Sequence, residues 1–168
     1  MNRGDLGARR LNLELQAALN CHDSGPTITR FGWCYGVGDK VMQTANDYDK
    51  DVFNGDIGFV QTVDLDMQEI IIDFDARRVT YDFGELDEVS PAYATTIHKA
   101  QGSEYQAVVI PLATQHYLML RRNLVYTGIT RAKQLVLLVG QWRALAIAVK
   151  DSRAQTRWSK LKQWLCPC

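Results

Sequence analysis

The sequence has no run of about 18 apolar residues, which excludes a membrane-spanning helix of ordinary length. Its first twenty residues carry Arg3, Asp5, Arg9, Arg10 and Glu14 where a secretory signal would have an apolar core. With 46% hydrophobic residues over 168 positions, the reading is a soluble, cytoplasmic, globular chain able to bury its own core. Cysteine is scarce: Cys21, Cys34, Cys166 and Cys168 form no Cys-x-x-Cys pair, and the terminal Cys-Pro-Cys has no histidine cluster beside it. No metal site is therefore predicted, and the thiols read as reduced. Also missing is a Gly-x-x-x-x-Gly-Lys-Ser/Thr phosphate loop. Gly32 and the glycines of Tyr35-Gly36-Val37-Gly38 are not followed by Lys-Ser or Lys-Thr at the required spacing. No apolar strand ends in the Asp-Glu pair that would hold Mg2+, and no nuclease site is visible. The chain should not hydrolyse a nucleoside triphosphate unaided.

Net charge is also absent, with 19 basic and 19 acidic residues, but the balance conceals an asymmetry. Residues 39–92 hold 14 acidic and 4 basic side chains, a net of −10, whereas residues 121–168 hold 10 basic side chains and one acid, Asp151, a net of +9. A surface that follows phosphates is more available in the tail than in the middle. The competing reading is that the two charged regions only solvate their surfaces or attract each other.

Periodicity divides the chain into three stretches. Leu11, Leu15 and Leu19, with Ala8 and Ala18 beside them, predict an amphipathic helix from Asp5 to Asn20, with Asp5 as N-cap and Ser24-Gly25-Pro26 as the stop. Short β-rich runs follow at 40–44, 58–63, 69–74 and 79–83, separated by turn signals at Gly38-Asp39, Asn54-Gly55-Asp56 and Asp75-Ala76. That many strands in about 55 residues predict a small barrel of SH3-like size. After Pro91 come an apolar run at 107–112, a helix over about 119–133 and a second apolar run, 135–139, closed by Gly140. This order is βαβ grammar and predicts a parallel sheet. Helices are expected at 142–149 and 154–165, the latter with Trp158, Leu161, Trp164 and Leu165 on a packing face. The fold class is thus α/β, with an all-β insert at 36–92 interrupting a domain built from 1–35 and 93–168. Because an α/β domain normally opens on a strand, a strand is expected to precede the first helix in a longer protein.

Chemistry concentrates in two stretches. Tyr93-Ala-Thr-Thr-Ile-His-Lys-Ala-Gln-Gly-Ser-Glu104 offers Thr95 and Thr96 hydroxyls, the His98 imidazole and the Lys99 ammonium as donors for phosphate oxygens. In it, Gly102 permits close backbone approach, and Glu104 can accept from sugar hydroxyls. A lone histidine in such a segment is more often a hydrogen-bonded structural residue. In Asn123-Leu-Val-Tyr-Thr-Gly-Ile-Thr-Arg-Ala-Lys133, Arg131 and Lys133 come near the end of a helix packed by Leu120, Leu124 and Val125. Arg131 could cap that helix, or it could be an arginine finger placed on a γ-phosphate. Local sequence leaves both open.

In order and content these two stretches resemble motifs V and VI of superfamily-one helicases, and the match is closest to the RecD-like branch, which includes exodeoxyribonuclease V alpha subunits. Three further pieces agree: Arg3-Gly4 with Leu11-Asn12 and Leu15-Gln16; Gly38-Asp-Lys-Val-Met-Gln43; and Asn46-Asp47 followed by Val52-Phe-Asn-Gly-Asp-Ile-Gly58. The resemblance spans residues 3 to about 141. It implies that the chain is the carboxy-terminal part of an ATP-dependent 5′–3′ DNA helicase acting in recombination or repair, with an SH3-like barrel inserted in its second RecA-like domain. It further implies that Gly102 and Glu104 face ATP and that Arg131 is the finger. Thr96 and His98, with Lys99 beside them, would lie at the single-stranded DNA backbone, and the 46–55 loop, Asn54 included, would help hold the strand. The acidity of the insert argues against strong DNA binding by the barrel alone. ATP and Mg2+ would be gripped mainly by an amino-terminal RecA-like domain, with other subunits of a recombination complex as further partners. Two rivals remain: a non-catalytic module that docks a partner protein or DNA, and an unrelated nucleic-acid-binding protein with a Src-like barrel.

Overall fold

The computed structural model describes residues 6–22 and 25–151. The chain divides into two units, Met1–Ser103 and Glu104–Cys168. The opening helix therefore groups with the all-β segment.

In the first unit, helix α1 runs Ala8–Leu19 behind Gly7, whose carbonyl accepts from the Leu11 amide at 3.0 Å. The expected N-cap, Asp5, lies outside the described residues. The leucine stripe is not the face that packs. Leu19 is 70% exposed, whereas Asn12 and Gln16 are buried at 4% and 6%. Burial of these amides is tolerable because each is satisfied. The Asn12 side chain donates to the Ala94 carbonyl at 2.7 Å and accepts from the Ala94 amide at 2.9 Å. Gln16 donates to the Cys34 carbonyl at 2.9 Å and to Asp39 Oδ2 at 2.8 Å.

A hairpin absent from the sequence reading comes next: β1 (Thr27–Arg30) and β2 (Trp33–Gly36) pair antiparallel. Its two-residue turn, Phe31-Gly32, has φ of 50° and 78°, the double positive φ whose twist matches that of the flanking strands.

The expected β runs fall at β3 (Lys40–Gln43), β4 (Ile57–Asp64), β5 (Glu69–Phe74) and β6 (Arg77–Asp82), with a short β7 (Val89–Pro91) after a 3-10 turn at Glu85–Glu88. They form one antiparallel ladder in the order β6-β5-β4-β3-β7. The described pairings run from β6 to β7 and do not close a barrel. Alternation places Ile70, Ile72 and Phe74 of β5, and Val79 and Tyr81 of β6, on the buried face. On β4 the inward positions change from Gly58 and Val60 to Val63, because a bulge between Val60 and Thr62 shifts the register by one. Tyr35, Val41, Val52, Phe83, Leu86 and Val89 complete this core. Its polar atoms are matched: Tyr35 Oη donates to the Val89 carbonyl at 2.8 Å and Tyr81 Oη to Gln43 Oε1 at 3.0 Å.

In the second unit, β8 (Tyr105–Leu112) and β9 (Ala132–Gly140) pair parallel, as the βαβ pattern requires. The crossover is shorter in helix than expected. A 3-10 segment, Thr114–Met119, precedes α2, which spans only Arg122–Ile129. The helix stops early because the residues after it are claimed by the sheet: Ala132 pairs with Tyr105, and the Tyr105 amide donates to the Arg131 carbonyl at 2.8 Å. Helix α3 (Trp142–Lys150) follows β9 directly, and Ala144 and Ala148 pack at 0% exposure with Ile110, Leu112, Leu120 and Val125. Gly140 is required at the end of β9, where φ is +142° and a Cβ would come within 1.9 Å of the Leu112 carbonyl oxygen. The helix expected at 154–165 lies outside the described residues.

Candidate functional site

The motif residues of the first unit sit on one turn after β7. The Ala100 amide bonds the Thr96 carbonyl at 3.0 Å, the Gln101 amide bonds the His98 carbonyl at 3.3 Å, and the Ser103 amide bonds the Ala100 carbonyl at 3.2 Å. Ala100 is the buried anchor of this turn at 6% exposure. Thr96 Oγ1 accepts from the Lys99 amide at 3.3 Å, so its hydroxyl proton can be donated outward. His98 and Lys99 are exposed. Gly102 holds φ of +89° with nothing within 4 Å of where a Cβ would stand, so here glycine serves the backbone conformation and leaves the surface open.

What fixes this turn is a cluster that the sequence reading did not single out. Asp39, fully buried, accepts five hydrogen bonds at 2.8 Å: from Gln16 Nε2 and the Gly36 amide, from Asn20 Nδ2, from the His22 ring and from Tyr93 Oη. Helix α1 with the residues just after it, the β2–β3 connection and the segment leading into the Thr96 turn thus converge on one carboxylate. Burial, followed by the hydrogen bond to Asp39, pushes the Tyr93 phenol up to about 12. A legible signal existed: Asn12, Gln16 and Asn20 recur every four residues, a polar stripe on one helix face.

Asn54 lies on a different loop, exposed, with its amide donating to Asn46 Oδ1 at 2.9 Å. Asp47 and Val52 close that loop by reciprocal bonds of 2.8 and 3.0 Å. Arg77 braces it through Asp51 and Asp56, at 3.2 and 3.4 Å.

In the second unit, Glu104 precedes β8 and forms an exposed ion pair with Lys133 at 3.0 Å. Arg131 is half-buried, two residues beyond the end of α2. With the Tyr105 amide on its carbonyl, its backbone is pinned beside the start of β8, one residue from Glu104. Glu104, Arg131 and Lys133 are thereby gathered at the openings of β8 and β9.

Residues 11–74 match the family described as ATP-dependent RecD-like DNA helicase SH3 domain, and residues 91–139 match the UvrD-like helicase C-terminal domain. The ATP-dependent RecD2 DNA helicase of Deinococcus radiodurans is 39% identical over 153 residues, which is 91% of this chain and 21% of that protein. The RecBCD enzyme subunit RecD of Mycolicibacterium smegmatis is 34% identical over 165 residues, 98% of this chain and 28% of that protein. The chain thus spans less than a third of the length of either relative. Among solved structures, the Pif1 helicase of Bacteroides in complex with ADP-AlF3 and single-stranded DNA superposes with a TM-score of 0.54 at 16% identity, covering 75% of this chain and 37% of that one. The Pif1 helicase of Candida albicans gives a TM-score of 0.54 at 18% identity, covering 77% and 42%. These two likenesses bear on the fold alone. On the two family matches and the relatives that extend over nearly the whole chain, this protein belongs to the RecD-like DNA helicases.

Proposed function

We propose that the chain forms the second RecA-like domain, with its SH3-like insertion, of an ATP-dependent 5′–3′ DNA helicase working in recombination or repair. The observation that carries this reading is the identity with the Deinococcus RecD2 helicase across 91% of the chain, which includes both motif stretches. In this role Gly102 and Glu104 face the nucleotide. Arg131 places its guanidinium where negative charge develops on the γ-phosphate during transfer. Its pinned backbone supports that use, since a finger acts through position. Thr96, His98 and Lys99 donate to the phosphates of single-stranded DNA, and the Asn54 loop guides the strand. Among the described residues no group of three or more His, Cys, Asp or Glu side chains could hold a metal. No step is assigned to this chain through Mg2+. A second domain supplies the phosphate loop and Mg2+ ligands, and other recombination subunits are candidate partners. No helix among the described residues is long and apolar enough to cross a membrane, and the working location proposed is the cytoplasm.

The test is Arg131→Ala in the longer protein, with DNA-stimulated ATP hydrolysis as the readout. The expected loss is about 10³- to 10⁵-fold in turnover, with nucleotide binding retained. Unchanged stimulated hydrolysis would remove Arg131 from the transition state.

A further inference from the structure

The first unit contains a groove of about 270 Å3 that runs from the Thr96 turn to residues outside that motif stretch. Buried Met42 and Ala92 form its floor, and Arg9, Trp33, Thr96 and Lys99 are among its walls. Three features give it a chemical character. Its lining includes two cations, Arg9 and Lys99, and no acidic side chain. Arg9 holds its guanidinium over the Trp33 ring, 5.3 Å from the centroid, so that an aromatic and a cation are arranged in advance as one stacking surface. Gly32 leaves room for this, because a Cβ there would come within 3.0 Å of Arg9 Nη2. The opposite lip is Thr96 and Lys99, the residues read above as phosphate donors.

Resting on that reading, we propose that the groove is a base subsite: a nucleobase of single-stranded DNA enters it and stacks on the Arg9–Trp33 pair while the adjoining phosphate is held by Thr96 and Lys99. The combination of a flat π and guanidinium surface with flanking cations is what sequence-tolerant binding of single strands uses. The cationic, acid-free lining favours an anionic strand, and the stacking pair favours one that carries bases. The subsite fixes where one base sits as the strand passes.

The experiment measures binding of the whole 168-residue chain, by fluorescence anisotropy at low salt, to a labelled oligothymidylate and to an abasic oligonucleotide of equal length. Trp33→Leu should weaken oligothymidylate binding about 5- to 150-fold, the range of one lost stack, and leave the abasic strand within twofold. Arg9→Gln, on an exposed side chain, should shift selectivity in the same direction and guards against a folding defect in the Trp33 variant. Lys99→Ala should weaken both oligonucleotides alike. If Lys99→Ala weakens both while Trp33→Leu and Arg9→Gln leave the preference for oligothymidylate unchanged, the subsite is refuted and the phosphate reading stands. If the chain binds neither oligonucleotide, or Lys99→Ala alters neither, the phosphate reading fails and the subsite falls with it.

Discussion

Removing the Asp39 carboxylate tests the claim that one buried acid anchors the elements around the Thr96 turn. In Asp39→Ala five donors lose their acceptor. The bonds from Gln16 and the Gly36 amide are fully buried, whereas those from Asn20, His22 and Tyr93 are partly buried and could recruit water. A buried donor left unpaired costs about 1–3 kcal/mol, so the two interior ones alone set a loss of about 2–6 kcal/mol, against the roughly 5–15 kcal/mol that holds a domain folded. Asp39→Asn retains one acceptor oxygen but turns an NH2 toward donors, and its expected cost is about 2–4 kcal/mol despite near-identical shape. Urea unfolding followed by amide hydrogen exchange in peptides from α1 and β3 reports on this unit without interference from the second. Protection should fall first in α1 and in the 93–103 segment, which the carboxylate ties together. A loss under about 1 kcal/mol in Asp39→Ala, or an Asp39→Asn variant as stable as the parent, would refute the reasoning.

Three further outcomes are expected. Tyr93 ionises at an ordinary value of 10.0 when unfolded and near 12 when folded, so the stability it contributes is fully present below pH 10 and is lost as pH rises toward 12; Tyr93→Phe should show a shallower decline over that window in urea titrations at stepped pH. Gly140→Ala would drive a Cβ to within 1.9 Å of the Leu112 carbonyl at a φ of +142°, so β8 and β9 must separate at that end, with a loss above about 2 kcal/mol read by thermal unfolding of the second unit. The Glu104–Lys133 pair is more than half exposed at both ends, and Lys133→Ala should change stability by no more than about 0.5 kcal/mol, so a large fall in stimulated ATP hydrolysis by that variant in the longer protein would reflect a direct role at the nucleotide.

The strands were legible where burial is one-sided. Glu69–Phe74 alternates along its whole length, and its limits were read to the residue. The parallel pair was legible because two apolar runs flank a helix. The length of α2 was not, since its last residues have helical chemistry yet are taken by Tyr105 and the sheet. Helix α1 was read as a helix with the wrong face inward: Leu11, Leu15 and Leu19 suggest a stripe, but partners for Asn12 and Gln16 lie 82 and 23 residues away along the chain. Barrel closure was expected from strand number, which carries no information on whether the first and last strands meet.

The sequence by itself determined the order of the elements other than β1, β2 and β7, the motif residues and the family, because periodicity and short motifs are local properties of a chain. Only the tertiary structure decided that Asp39 gathers five donors, that Arg131 is pinned at the mouth of β9, and that Arg9 and Trp33 share a groove with Thr96 and Lys99. Each depends on groups far apart in sequence whose hydrogen bonds and packing exist only once the chain has closed on itself, so no local pattern could carry them.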